Sequence, residues 1–232
     1  MLSWIYPPKC VSCSTILPPT NNAEIFFCEH CKPLFSPIEP PFCPRCGLPS
    51  TATCLSCLGK RKIFMERHRA AFIYDGVVQE LIREMKFRSR KRAAYGLGHL
   101  LAVVCASWGI DGDYIVPVPL HPSKLRKRGY NQAAVLATPI AKQLKITHAP
   151  HMLKRIRKTP PQSGLTPSAR EQNLVNAFAF NAKKYNVENK KIFLVDDIFT
   201  TGSTMNACAQ MLINHGASRV EAISLSIVVK NE

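Results

Sequence analysis

The chain has 232 residues, 46% of them hydrophobic, enough for one full α/β domain and a small second module, which excludes a disordered polymer. Lysine and arginine outnumber aspartate and glutamate by 31 to 15, and the formal charge of +16 favours polyanionic partners such as nucleic acid, pyrophosphate compounds or an anionic membrane surface. Residues 1–8 lack the basic start and apolar core of a signal peptide, and the longest apolar stretch, residues 100–108, is too short to span a bilayer. A cytoplasmic protein with no membrane span is expected, in a compartment where thiols stay reduced.

Eight of the ten cysteines fall in four C-x-x-C pairs: Cys10/Cys13, Cys28/Cys31, Cys43/Cys46 and Cys54/Cys57. A C-x-x-C turn aims both sulfurs at one centre, and two such turns complete a tetrahedral zinc site of four thiolates. Four pairs therefore predict two zinc ions; disulfides are disfavoured by compartment, and an iron–sulfur cluster accepts the same ligands. Pairing in sequence order gives two stacked ribbons, and an interleaved cross-brace is the alternative. The sequential order is favoured because Cys46 and Cys54 are close enough to close a compact ribbon alone. With every ligand a thiolate, both metals are structural. Phe26, Phe27, Phe35 and Phe42 lie between the knuckles, as a small ribbon core in preference to a stacking platform for single-stranded nucleic acid. The ribbons occupy residues 1–62, and a second domain spans 68–232.

In that second domain, residues 70–74 predict a strand, Asp75-Gly76 a turn, and Val78, Leu81, Ile82 and Met85 an amphipathic helix. Residues 86–92 then carry five basic side chains in seven, a solvated face or an anion-binding rim. Leu97, Leu100, Leu101, Val104 and Cys105 mark another helix, and residues 114–119 a short strand ended by prolines. Residues 121–132 are expected as a basic loop with Lys124, Arg126, Lys127 and Arg128 before Gly129, Tyr130, Asn131 and Gln132, suited to pyrophosphate. Residues 133–144 look helical, with Pro139 expected to kink or end the helix. Residues 151–156 and 177–180 predict a hairpin around a long loop carrying Arg157, Lys158, Thr159, Gln162 and Arg170, suited to closing over a charged leaving group. Cys105 and Cys208 are expected as inert core thiols.

The most informative run follows. Ile192, Phe193, Leu194 and Val195 are apolar without alternation, the pattern of a strand buried on both faces of a parallel sheet. Asp196 and Asp197 end it, and Ile198 and Phe199 lead to Thr200, Thr201, Gly202, Ser203 and Thr204. Ala207, Cys208, Met211 and Leu212 then mark a helix, with Gly216 as its expected cap. Ligands of an open α/β sheet bind at such a strand-to-helix turn. Backbone N–H groups, hydroxyls and a helix N-terminus suit a phosphate monoester, and two carboxylates suit a vicinal diol. The absence of a lysine after the glycine excludes a Walker A loop. The pocket is one for a ribose 5-phosphate.

This run resembles the signature with which type I phosphoribosyltransferases bind phosphoribosyl pyrophosphate (PRPP). The resemblance implies their α/β fold with a parallel central sheet, preceded here by the small double zinc ribbon. Together with residues 116–122, residues 128–132 and the series Thr159, Gln162, Leu165, Arg170 and Asn173, the chain resembles the ComF family of competence-associated proteins. That resemblance implies magnesium-dependent handling of PRPP. Asp196 and Asp197 would sit at the ribose, residues 200–204 at the 5-phosphate, Arg128, Gly129, Tyr130 and Asn131 at pyrophosphate, and the long loop above. It also implies a role in transformation beside incoming single-stranded DNA and the competence machinery. The alternative is a non-catalytic DNA-binding adaptor whose pocket is regulatory or vestigial.

Overall fold

The computed structural model describes residues 7–18, 25–59, 62–87, 90–159 and 173–229. Strands β1 (His68–Ile73), β2 (Tyr114–Pro117), β3 (Thr147–His148), β6 (Lys191–Phe199) and β7 (Arg219–Ile227) form one parallel sheet in the order β1-β7-β6-β2-β3. A separate antiparallel hairpin pairs β4 (Leu153–Arg155) with β5 (Phe178–Phe180). The helices of the larger unit are α2 (Gly76–Phe87), α3 (Lys91–Ala106), α4 (Pro122–Arg128), α5 (Gln132–Leu144) and α6 (Ser203–Ile213), and the short α1 (Leu55–Leu58) lies in the second ribbon.

The central strand β6 is covered on both sides, which is why its apolar run has no polar alternation. Phe193 and Val195 join one core with α2, α3, α5 and the first ribbon; Ile192 and Leu194 join the other with α6 and the hairpin. The ribbons are not appended modules. Phe27 meets Phe35 edge-on at 4.7 Å, and Phe35 meets Phe72 of β1 at 5.9 Å, so the small ribbon core continues into the larger one. Phe26 stacks on His99 of α3, and Phe42 lies beneath the guanidinium of Arg69.

Three local expectations are corrected. The basic segment after β2 is a helix, α4, and not a loop. His121 accepts the Ser123 N–H as N-cap, Pro122 sits in the first turn, and Gly129 ends the helix at φ +80. Helix α5 runs unbroken through Pro139. Gly98 of α3 allows the approach: a Cβ there would lie 3.1 Å from the Pro139 ring and 3.3 Å from the Val135 carbonyl, so close packing offsets the missing N–H. Helix α6 is capped at Asn214, and Gly216 turns the chain two residues later at φ +95. Cys105 and Cys208 are fully buried, and burial raises both thiols, as expected of inert core residues. No helix among the described residues is long and apolar enough to cross a membrane.

Candidate functional site

The cysteines group in sequence order. Cys10, Cys13, Cys28 and Cys31 form one cluster and Cys43, Cys46, Cys54 and Cys57 the other, with all sulfurs of a cluster within 4.8 Å of one another. The Cys13–Cys28 and Cys46–Cys54 sulfurs are 3.6 and 3.5 Å apart, close to the edge of about 3.8 Å in a tetrahedron with 2.3 Å zinc–sulfur bonds. Backbone N–H groups approach the sulfurs as well, from Cys28 to Cys10 and from Cys54 to Cys43. Burial alone would raise Cys43, but N–H groups of Cys46, Cys54 and Arg45 outweigh it and bring the thiol down to about 6. Both donor sets fit structural zinc, with no position left for water.

Several contacts dock the second knuckle on the larger unit, among them Arg69 donating to the Pro44 carbonyl, and His68 contributes two more. His68 of β1 donates its backbone N–H to the Arg45 carbonyl at 2.6 Å, and its Nδ1 lies 2.6 Å from the Cys46 carbonyl. Burial pushes the ring's pKa down to about 3, so it is neutral and Nδ1 carries the donated proton. Nε2 lies 2.9 Å from the Ser224 hydroxyl.

At the carboxyl end of the sheet, β6 runs on past both acids to Phe199, two residues further than the expected end at Asp197. Successive residues of a strand face opposite sides. Asp197 accordingly meets the Lys86 ammonium of α2 at 2.8 Å, whereas Asp196 feels Arg155 of β4 and Cys208 of α6. Burial, followed by the charge of Asp197, pushes Asp196 up to about 7 against the opposing pull of the Asp197 N–H, Lys86 and Arg155. Above this pair, Gly202 takes φ +69 and turns the chain into α6, Thr201 and Ser203 share a hydroxyl hydrogen bond of 3.0 Å, and the Asn206 N–H returns to the Gly202 carbonyl at 2.8 Å.

Three cations, Lys86, Arg128 and Arg155, act on the two acids, and Lys124 lies among them. Arg128 ends α4 with its Nε donating to the Lys86 carbonyl at 3.0 Å, and Asp197 lies within its electrostatic reach. Lys124, one turn earlier, is held below the usual lysine range by burial and then by the charges of Arg155, Arg128 and Lys86. Tyr130 and Asn131 are committed to the fold: the Tyr130 hydroxyl donates to the Met85 carbonyl at 2.7 Å, while Asn131 caps α5 and donates to the Val118 carbonyl. Gly129 is the C-cap of α4. Arg157 donates to the Asn173 carbonyl across the base of the long loop, Lys158 is exposed, and Thr159 is buried and accepts from Arg155. Gln162 and Arg170 lie outside the described residues. Sequence reasoning missed Arg155, which stands beside Lys154 in a short strand with no pattern to single it out, and left Lys86 within a basic run.

The comparisons agree with this architecture. Residues 1–60 match a double zinc ribbon domain and residues 131–229 a phosphoribosyl transferase domain. The chain is 34% identical over 187 residues to the DNA utilization protein YhgH of Escherichia coli strain K12, covering 77% of this chain and 81% of the relative. It is 28% identical over 226 residues to Competence protein F of Haemophilus influenzae, covering 94% and 96%. Competence protein ComFC of Bacillus subtilis matches at 25% over 207 residues, covering 85% and 82%. With both domains matched in order and these relatives alike over most of their length, the chain belongs to the ComF family, in which a double zinc ribbon precedes a phosphoribosyltransferase domain.

Proposed function

We propose that this chain binds PRPP with magnesium at the carboxyl end of β6 and acts as a phosphoribosyltransferase on an acceptor encountered with single-stranded DNA. The observation that carries this reading is the gathering of Lys86, Arg128 and Arg155 about Asp196 and Asp197, at the strand end that leads into a hydroxyl-rich turn. PRPP has the matching chemistry: a phosphate monoester, a ribose diol and a pyrophosphate. Residues 200–204 hold the 5-phosphate through backbone and hydroxyl donors. Asp196 and Asp197 receive the ribose hydroxyls and place negative charge beside C1. Arg128, with Lys124, Lys86 and the loop residues Arg157 and Lys158, neutralises the leaving pyrophosphate. Magnesium bound with PRPP would add to the neutralisation of the leaving group that these cations provide.

In this reading the C1–oxygen bond to pyrophosphate breaks with its electron pair, and an incoming nitrogen lone pair forms the new bond to C1. The protein contributes positioning and electrostatic stabilisation of the oxocarbenium-like transition state. Residues 1–62 form a unit whose zinc is structural, and residues 68–232 carry the chemistry. The names of the relatives, DNA utilization and competence proteins, support a role in handling incoming DNA in the cytoplasm beside the competence machinery. A second reading, a single-stranded DNA adaptor with a regulatory pocket, draws on the charge of +16. Pyrophosphate release from PRPP, assayed with and without single-stranded DNA and free nitrogenous bases, separates the two. Turnover with an acceptor supports the enzyme; binding without release under every acceptor supports the adaptor.

A further inference from the structure

The second cysteine knuckle and the phosphate loop lie at opposite ends of a short chain of contacts that neither the zinc chemistry nor the PRPP reading requires. At one end, the Arg45 and Cys46 carbonyls both accept from His68, through its backbone and its ring. Gly47, at φ +69, has no room for a side chain, since a Cβ would lie 2.9 Å from the His68 carbonyl. The knuckle is thereby seated on β1 by three independent constraints at a single residue. In the middle, the His68 ring stacks on Phe199 with centroids 3.8 Å apart and planes 18° from parallel. At the other end, the Phe199 ring fills the space beneath Gly202: a Cβ there would lie 2.6 Å from it, with the Met65 methyl group 3.5 Å away. Phe199 is also held by its own backbone, whose carbonyl accepts from Val228.

Gly202 is the αL residue that turns the phosphate loop into α6. Its position is fixed by what lies under it, because a left-handed glycine has no side chain of its own to pack. A second tie works alongside: Asn206 of α6 accepts from the Phe64 N–H at 2.7 Å and donates to the Lys62 carbonyl at 3.0 Å, clamping the segment that follows the ribbon to the same helix.

From these contacts we propose that His68 is a positioning residue for the phosphate loop, transmitting the geometry of the second zinc knuckle through Phe199 to Gly202. The inference rests on the reading that residues 200–204 receive the 5-phosphate. It adds a dependence that reading does not contain: affinity for the phosphate end of the ligand is tied to the knuckle, and affinity for the pyrophosphate end is not. Preorganised N–H groups bind an anion well only when they need no rearrangement, so loosening Phe199 weakens the phosphate end selectively.

The test uses the full zinc-loaded chain and two half-ligands, ribose 5-phosphate and magnesium pyrophosphate, measured by calorimetry. His68→Asn retains an N–H for the Cys46 carbonyl but removes the ring beneath Phe199. His68→Phe retains a ring but leaves the Cys46 carbonyl without its donor. Each variant is checked for two equivalents of zinc, and amide exchange of residues 199–204 is followed without ligand. We expect both variants to weaken ribose 5-phosphate binding by about tenfold or more, with pyrophosphate affinity kept within about twofold and faster exchange in the loop. Unchanged ribose 5-phosphate affinity and exchange in both variants overturns the relay alone. Equal losses for the two half-ligands also overturn it, by showing general destabilisation. A wild-type chain that binds no ribose 5-phosphate overturns the underlying reading, and the relay with it.

Discussion

The ammonium of Lys86 lies 2.8 Å from a carboxylate oxygen of Asp197, joining the end of α2 to the centre of the sheet. Both partners are mostly buried, with side chains 22% and 11% exposed. A second carboxylate, Asp196, is adjacent in the strand, so Lys86, with Arg128 and Arg155, supplies the counter-charge that keeps two neighbouring acids tolerable in one low-dielectric place. Lys86→Met is expected to lower stability by about 1–3 kcal/mol, between the values of exposed and fully buried pairs. Urea titration at neutral pH measures this, and an unchanged midpoint would show that the pair is merely incidental.

Asp196 gives a prediction of opposite sign. Its folded-state pKa is raised to about 7, above the ordinary carboxylate range, so the folded chain holds this proton more tightly than the unfolded one. Stability attributable to Asp196 therefore falls as pH rises from about 4 to about 7 and is level above that. Asp196→Asn should be more stable than the parent at pH 8, with the advantage shrinking towards pH 5. Thermal unfolding of both proteins across that range checks it; a constant difference would mean that Asp196 does not titrate there.

Gly202 tolerates no side chain for two separate reasons, its φ of +69 and the Phe199 ring 2.6 Å from any Cβ. Gly202→Ala should cost about 1–3 kcal/mol of stability and remove ribose 5-phosphate binding altogether. Retained affinity would place the phosphate elsewhere.

Zinc should be present at two equivalents per chain, because each of the two four-cysteine clusters gathers its sulfurs within 4.8 Å of one another. Cys43→Ser is expected to lose one equivalent, and with it part of the apparent binding free energy of about 10–16 kcal/mol that such a site adds to folding. Since Cys46 and Leu48 pack against the core that holds β6 and α6, unfolding of the larger unit should shift as well. Loss of zinc without any change in the larger unit's transition would contradict that shared core.

Single-stranded DNA binding should depend on salt, with log affinity falling by about 0.7 per phosphate contact for each decade of salt. Charge reversal at Arg92, whose guanidinium lies over Phe26 of the first ribbon, should lower that slope while leaving PRPP affinity intact. A slope unaffected by the reversal would mark this side chain as part of a solvated face.

What the sequence disclosed was whatever lies contiguous in it. The β6 strand, its acids and the turn into α6 form one uninterrupted run, and the knuckles announce themselves by spacing, so both were legible. Lys86 with Asp197, Arg155 with Asp196, and His68 with Cys46 and Phe199 join segments that no local pattern links. They form only when the sheet order brings those segments together. Helix α4 had its start and stop signals in Pro122 and Gly129, but a run of basic residues gave it no apolar face, and none of its residues is buried. Pro139 misled for a different reason: its helix cost is real, and the packing partner that offsets it, Gly98, belongs to another helix.

The central claim is that the carboxyl end of β6 is a PRPP site. Calorimetric titration of PRPP with magnesium into the zinc-loaded chain, and into the Asp196→Ala/Asp197→Ala double variant, tests it most directly. Both chains should carry two zinc equivalents and unfold cooperatively, because residues 192–195, which pack the two cores, are unchanged. The account predicts saturable binding to the parent and none to the double variant. Equal PRPP affinity in the two proteins, or no binding to the parent, would contradict it.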